Sequence, residues 1–327
     1  MVDSLILNTP LRIFPDIYTR ECSMRSFRLV VALILSAFCV SVIYAQNPAS
    51  ANLPVAPPNL LLLMHQEVPA GRAGEAERLQ VSLSRACDRL ETPSYWINLQ
   101  SLSNSEESLF FDPFESFDLL EQSRAGWSQF YAAHPDLARM KDQIDEIAGG
   151  ERTVFAVRRP DLGYLTDSID LSEARYLRIV EVHLLPGREG DFAEGLKILA
   201  DAHARIQADA PWVVYEVKLG VNNPTFFVFT PLLDLAKNDA LLSWEQSIAT
   251  QEAGPSLDRL TQIARESYAT AETTLYEMRP LTSHVSSEFA DSDPAFWRHA
   301  TAVEFRPDRI ISRKPPKKGS PAKSPAQ

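Results

Sequence analysis

An α+β fold in two tandem β-α-β-β-α-β repeats is what this sequence predicts, and three observations carry the prediction. Residues 178–206, RIVEVHLLPGREGDFAEGLKILADAHARI, read as strand, tight turn and amphipathic helix without interruption. Residues 60–90, LLLLMHQEVPAGRAGEAERLQVSLSRACDRL, repeat that order of events. Downstream of each copy come a hairpin, helical segments and a last strand, again in one order.

From Leu177 to Leu185 apolar residues alternate, with Val180, Val182 and Leu184 on one face and Leu177, Ile179, Glu181 and His183 on the other. Pro186 and Gly187 end the strand, and Glu189 and Asp191 supply the negative charge that a helix N-terminus favours. Phe192, Leu196, Leu199, His203 and Ile206 then form one helical face, on which His203 reads as a structural histidine turned to the core. In the earlier copy Gly71-Arg72 matches Gly187-Arg188, Leu83 matches Leu199, and Cys87 matches His203 and so reads as a small buried hydrophobe.

The rest of the first repeat (59–165) holds strands at 95–101 and 108–111 around the turn Asn104-Ser105-Glu106-Glu107. Helices follow at 118–130 and 135–147, and a fourth strand at 153–158. Residues 166–173 are a polar connector. The second repeat (174–288) has its hairpin turn at Val221-Asn222-Asn223-Pro224, helices near 233–250 and 256–271, and a last strand around Leu275 to Arg279. Small length changes between the copies fall in loops, which marks an internal duplication of a unit of about 110 residues, the size of a small domain.

Outside the repeats, Met24 opens a basic segment and an apolar run to Ala45, the plan of a cleaved secretory signal at 24–45. A retained anchor is the alternative. Residues 1–23 read as an upstream extension, and 46–58 as a Pro- and Ala-rich linker. Residues 289–327 form a C-terminal extension with a disordered basic tail from 306, either a tether to anionic envelope polymers or a solubilising tail. The expected location is therefore periplasmic or extracellular. Over its 327 residues the chain carries a net charge of −11, and with the tail basic the folded body is more acidic still, which excludes duplex nucleic acid as a partner.

The repeated order is that of a ferredoxin-like unit, an antiparallel sheet with helices on one face. Two such sheets can bury their bare faces by closing face to face. EVHLLPGREGDFAEGLKIL resembles the first strand and helix of the dimeric α+β barrel superfamily, which includes NIPSNAP-like and antibiotic-biosynthesis monooxygenase-like domains. The resemblance implies a barrel around a ligand cavity, formed here by a monomer with an internal pseudo-dimer or by a homodimer.

No phosphate loop, nucleophile elbow, CxxC pair or HExxH helix is present. The copies lie an even number of residues apart, so His65 and Glu67 share the face that Glu181 and His183 occupy in the other repeat. Facing each other across a barrel, these four could bind a divalent metal or act as acid–base pairs, or form a paired polar patch. Arg158 and Arg279, matched on the two fourth strands, are candidates for an anionic ligand. The leading expectation is an exported barrel that binds a small, largely apolar molecule without a cofactor. The alternatives are an oxygenase-like enzyme, cofactor-independent or assisted by metal or haem, and a structural envelope protein with a filled barrel.

Overall fold

The computed structural model describes residues 53–104, 106–222, 224–251 and 254–298. The upstream extension, the signal segment and the basic tail lie outside the described residues.

Eight antiparallel strands close into one barrel in the order β1-β3-β2-β8-β5-β7-β6-β4. The first half contributes β1 (Leu60–Glu67), helix α1 (Ala73–Cys87), β2 (Ile97–Ser101), β3 (Glu107–Phe114), α2 (Phe117–Ala133), α3 (Pro135–Ile147) and β4 (Gly150–Arg158). The second repeats that order with β5 (Tyr176–Leu184), α4 (Glu189–Arg205), β6 (Val213–Leu219), β7 (Thr225–Leu232), α5 (Leu235–Gln251), α6 (Pro255–Ser267) and β8 (Tyr268–Met278). Two seams join the halves. At one, Leu99, Gln100 and Ser101 pair with Met278, Glu277 and Tyr276; at the other, β4 pairs with β6.

Local chemistry sets the pivots. Gly71 and Gly187 take φ of +84° and +80°, a region that glycine enters without steric cost, and each turns the chain from strand into helix. The arginine that follows each glycine then bonds an acidic residue of the first helical turn, Arg72 to Glu75 and Arg188 to Asp191. Ser116 caps α2 by accepting from the Leu119 amide, and proline opens both α3 and α6.

The alternation of the strands divides the core into layers. Leu61, Leu63, Leu177, Ile179, Tyr215 and Phe229 fill the barrel interior, while Val182, Leu184, Phe192, Leu196 and Trp212 pack between the second-half sheet and its helices. Each such buried side chain contributes roughly 1.5–3 kcal/mol of transfer free energy. The matching layer of the first half includes Leu83, Phe130, Ile144 and Cys87, whose thiol burial pushes up to about 12. His203 is buried in the second-half layer, its Nδ1 2.9 Å from the Leu199 carbonyl oxygen.

One end of the barrel is sealed. Leu53, Ile169, Leu171 and two short helices, α7 (Ser287–Ser292) and α8 (Pro294–Trp297), pack into it through Phe289 and Trp297. The Tyr215 hydroxyl donates to the Pro58 carbonyl and the Trp297 indole to that of Ser172.

The sequence reading differs from the structure at several edges. The expected helix 256–271 ends at Ser267, and Tyr268 already begins β8, a threonine-rich strand suited to a pleated surface. Strand β3 runs from Glu107 to Phe114, longer at both ends than expected, with Pro113 inside it opposite Leu61.

Candidate functional site

At the opposite end, where β1 and β5 finish, the barrel opens into a cavity of about 610 Å³. Its floor is apolar, made by Leu63, Leu109, Ile179, Phe227 and Phe229; its upper wall carries Glu67, Glu107, Glu151, Glu181 and Glu272.

His65 and Glu107 are diagonal neighbours on the paired strands β1 and β3, with Nδ1 of the imidazole 3.5 Å from Oε1 of the carboxylate. The Tyr276 hydroxyl donates to the same oxygen at 2.6 Å. The hydrogen bond with His65, and after it that from Tyr276, hold Glu107 below the usual carboxylate range against the opposing effect of burial. Burial, with Glu107 beside it, holds the Tyr276 phenol protonated as a donor. The second imidazole nitrogen, His65 Nε2, is buried and has no hydrogen-bond partner among the described residues.

Glu181 centres a second cluster. Arg152 Nη2 lies 3.3 Å from each of its oxygens, and His183 Nε2 lies 3.0 Å from Oε1. The Thr225 hydroxyl is 2.8 Å from His183 Nδ1, so both nitrogens of that ring are engaged.

The four residues expected to converge, His65, Glu67, Glu181 and His183, are thus divided. His65 belongs to the Glu107 cluster, Glu181 and His183 to the other, and Glu67 stands exposed on the rim. No group of three or more His, Cys, Asp or Glu among the described residues is placed to hold a metal ion. The charge balance of this mouth does not suit haem either, since a group carrying two propionates would meet five carboxylates here, with the one guanidinium of the lining, Arg152, bonded to Glu181.

The two arginines part company as well. Arg158 is at the sealed end, where its Nη1 donates to the Pro57 carbonyl and its Nε is buried without a partner among the described residues. Arg279 is outside the barrel, bonded to Glu77 of α1 and to Glu277. In register, Val154 and Ala156 face the interior, as do Tyr276 and Met278, so the position matching Arg158 is Met278 and not Arg279. A slip of one residue carries a strand side chain to the other face.

Sequence reasoning missed Glu107, Arg152, Glu272 and Tyr276. Extending the alternation outward by two residues, from Leu109 to Glu107 and from Val154 to Arg152, was the signal that could have found the first pair.

No family model matches the sequence, and neither does any curated protein. Among solved structures, an anthrone oxidase-like protein aligns at 14% identity with a TM-score of 0.46, covering 70% of this chain and 95% of its own. A mutant chlorite dismutase from Candidatus Nitrospira defluvii aligns at 10% identity with a TM-score of 0.41, covering 72% and 96%. A heme-binding protein from Thermus thermophilus aligns at 11% identity with a TM-score of 0.39, covering 69% and 95%. Likeness at this level assigns no residue of the cavity.

Proposed function

We propose that the chain binds a small cationic molecule with an apolar body, head group at the mouth of the barrel and body on its floor. The observation that carries this is the charge balance of the cavity, where Glu67, Glu107, Glu181 and Glu272, with Glu151 at the outer edge of the rim, stand against one guanidinium above aliphatic and aromatic side chains. A concave, acidic, partly desolvated wall concentrates cations and repels anions. The expected largely apolar ligand is revised accordingly, since a wholly apolar molecule would bring no counter-charge to Glu67, Glu151 and Glu272, which the one guanidinium does not pair.

Calorimetric titration with hexylamine, hexanol and hexanoate tests the proposal. Hexylamine binds and hexanoate does not, and the double substitution Glu67→Gln, Glu272→Gln weakens the amine about tenfold. Hexanoate binding as well as the amine overturns it.

One observation favours the oxygenase-like alternative in its cofactor-independent form. His65 is held at one nitrogen by Glu107 while the other is unengaged, an arrangement that can take a proton from an acidic C–H bond. Exchange of the α-protons of 2-tetralone in heavy water, followed by NMR, tests this reading. A rate no faster than that of a His65→Gln variant removes it.

To the same proposal belong export by cleavage of the 24–45 signal, checked by N-terminal sequencing of the mature protein, and a NIPSNAP-like origin by tandem duplication. The second is supported by the matching Gly-Arg pivots and the repeated element order. One chain supplies all eight strands, so the site is complete in a monomer.

A further inference from the structure

We propose that the cavity between the outer face of the first-half sheet and helices α1, α2 and α3 is a second binding site, for a protonated amine on an aromatic body, with Asp112 as its counter-ion. The cavity has a volume of about 320 Å³ and lies on the other side of the sheet from the barrel interior. Trp96, Phe110, Trp127 and Tyr131 give it aromatic walls, the surface on which a cation and a flat ring are both held. Asp112 projects into it from β3, and no hydrogen bond or ion pair to its side chain occurs among the described residues.

Among the described residues other polar groups of the walls have partners, the Tyr131 hydroxyl excepted. Trp127 Nε1 and Ser123 Oγ both donate to Ser94 Oγ, and Lys141 is paired with Asp145 one turn along α3. The Asp112 carboxyl, with the Tyr131 hydroxyl, is therefore left unspent in a largely apolar chamber, the composition of a small-molecule site.

The second half of the molecule supplies the comparison. Asp112 lies opposite Leu62 on β1, and Thr230 lies opposite Arg178 on β5, the same rung of the same ladder. Thr230 lines a cavity that is also about 320 Å³, between the same layers. The architecture thus stands without a carboxylate at this position, and Asp112 is an addition that packing does not require.

Burial holds the Asp112 carboxyl up at about 7, so an entering ammonium exchanges for its proton. The groups facing it are Gln66 from β1, Gln80 from α1, Tyr131 from α2, the Lys141–Asp145 pair from α3 and Glu151 from β4. Burial keeps the Tyr131 phenol neutral.

The test titrates the full chain with benzylamine, benzyl alcohol and benzoate, by calorimetry and by quenching of tryptophan fluorescence. At pH 8 benzylamine binds about tenfold or more tightly than the alcohol, and the preference shrinks at pH 5.5. Read by tryptophan quenching, which reports the cavity lined by Trp96 and Trp127 and not the barrel mouth, whose lining has no tryptophan, Asp112→Thr, which installs the residue of the other half, abolishes the preference, while Glu67→Gln, Glu272→Gln at the barrel mouth leaves it intact. Should Asp112→Thr fail to fold, Asp112→Asn gives the same readout. No preference for the amine in the native chain, its survival in the Asp112 variants, or its loss in the rim variant overturns the proposal.

Discussion

The Tyr276 hydroxyl reaches Glu107 at 2.6 Å from the other half of the molecule, at the end of the short seam between β2 and β8, where Tyr276 pairs with Ser101. The Glu107 side chain is 21% exposed, a little more than that of His65, and its carboxyl is held low by both neighbours. A carboxylate whose pKa drops on folding adds stability above its unfolded value and loses it as pH falls through the folded one. Tyr276→Phe should therefore cost about 1.5–3 kcal/mol at pH 7 and clearly less at a pH below the lowered folded pKa of Glu107, where the carboxylate is lost. Denaturant unfolding at the two pH values checks this, and an equal cost at both would contradict the assignment.

Asp112 has the opposite sign. Its folded pKa of about 7 lies above the ordinary aspartate value of 3.8, so the native state binds the extra proton and stability falls as pH rises from about 4 to 7. Asp112→Thr should raise the stability of the unliganded protein at pH 8 by roughly 2–4 kcal/mol. Near pH 3.5 most of that gain should vanish. Thermal or urea unfolding across the range provides the measurement.

At Gly71 and Gly187 an added Cβ would meet nothing within 4 Å, so replacement by alanine costs backbone conformation alone. Each substitution should lower stability by about 1–2 kcal/mol. Because the two pivots lie in different halves, the double variant should lose the sum within about 0.5 kcal/mol. Urea unfolding of the three variants checks both statements, and a marked inequality between the single variants would mean that the pivots are not equivalent.

His284 ties the C-terminal segment to the first half, with Nδ1 2.7 Å from Asp88 Oδ1 and Nε2 2.7 Å from Thr92 Oγ1. Its ring also packs on Tyr95 and Trp96. His284→Ala empties that space and strands two polar groups, at a cost of about 2–4 kcal/mol. Hydrogen exchange should accelerate over residues 281–298 while β1 and β5 keep their protection; uniform acceleration would count against a local tie.

Much of the fold was legible because β1 and β5 are bounded strands with unbroken alternation, and two similar strands an even number of residues apart constrain each other's faces. The parity that set His65 beside Glu67 and Glu181 beside His183 on the inner face follows from that alone. Half of the candidate site was not legible, for reasons of strand ends. Glu107 looked like the last residue of a polar turn, Glu272 followed what read as a helix, and Arg152 stood just outside its strand. Asp112 was hidden in the same way, one residue past the expected end of β3. These are edges where tertiary pairing prolongs a strand beyond its own local preference. The mismatch of Arg158 with Arg279 arose from repeat similarity read one residue out of step.

With Phe289 and Trp297 stoppering one end, the barrel is a blind vessel and not a conduit. Among the described residues it has one doorway, so the proposed ligand would leave past the same acidic lip that admits it. Its dwell time is then governed by that lip and by how far the two seams can breathe, while depth of insertion is limited by the aromatic plug of Phe111, Tyr215 and Phe229 beneath.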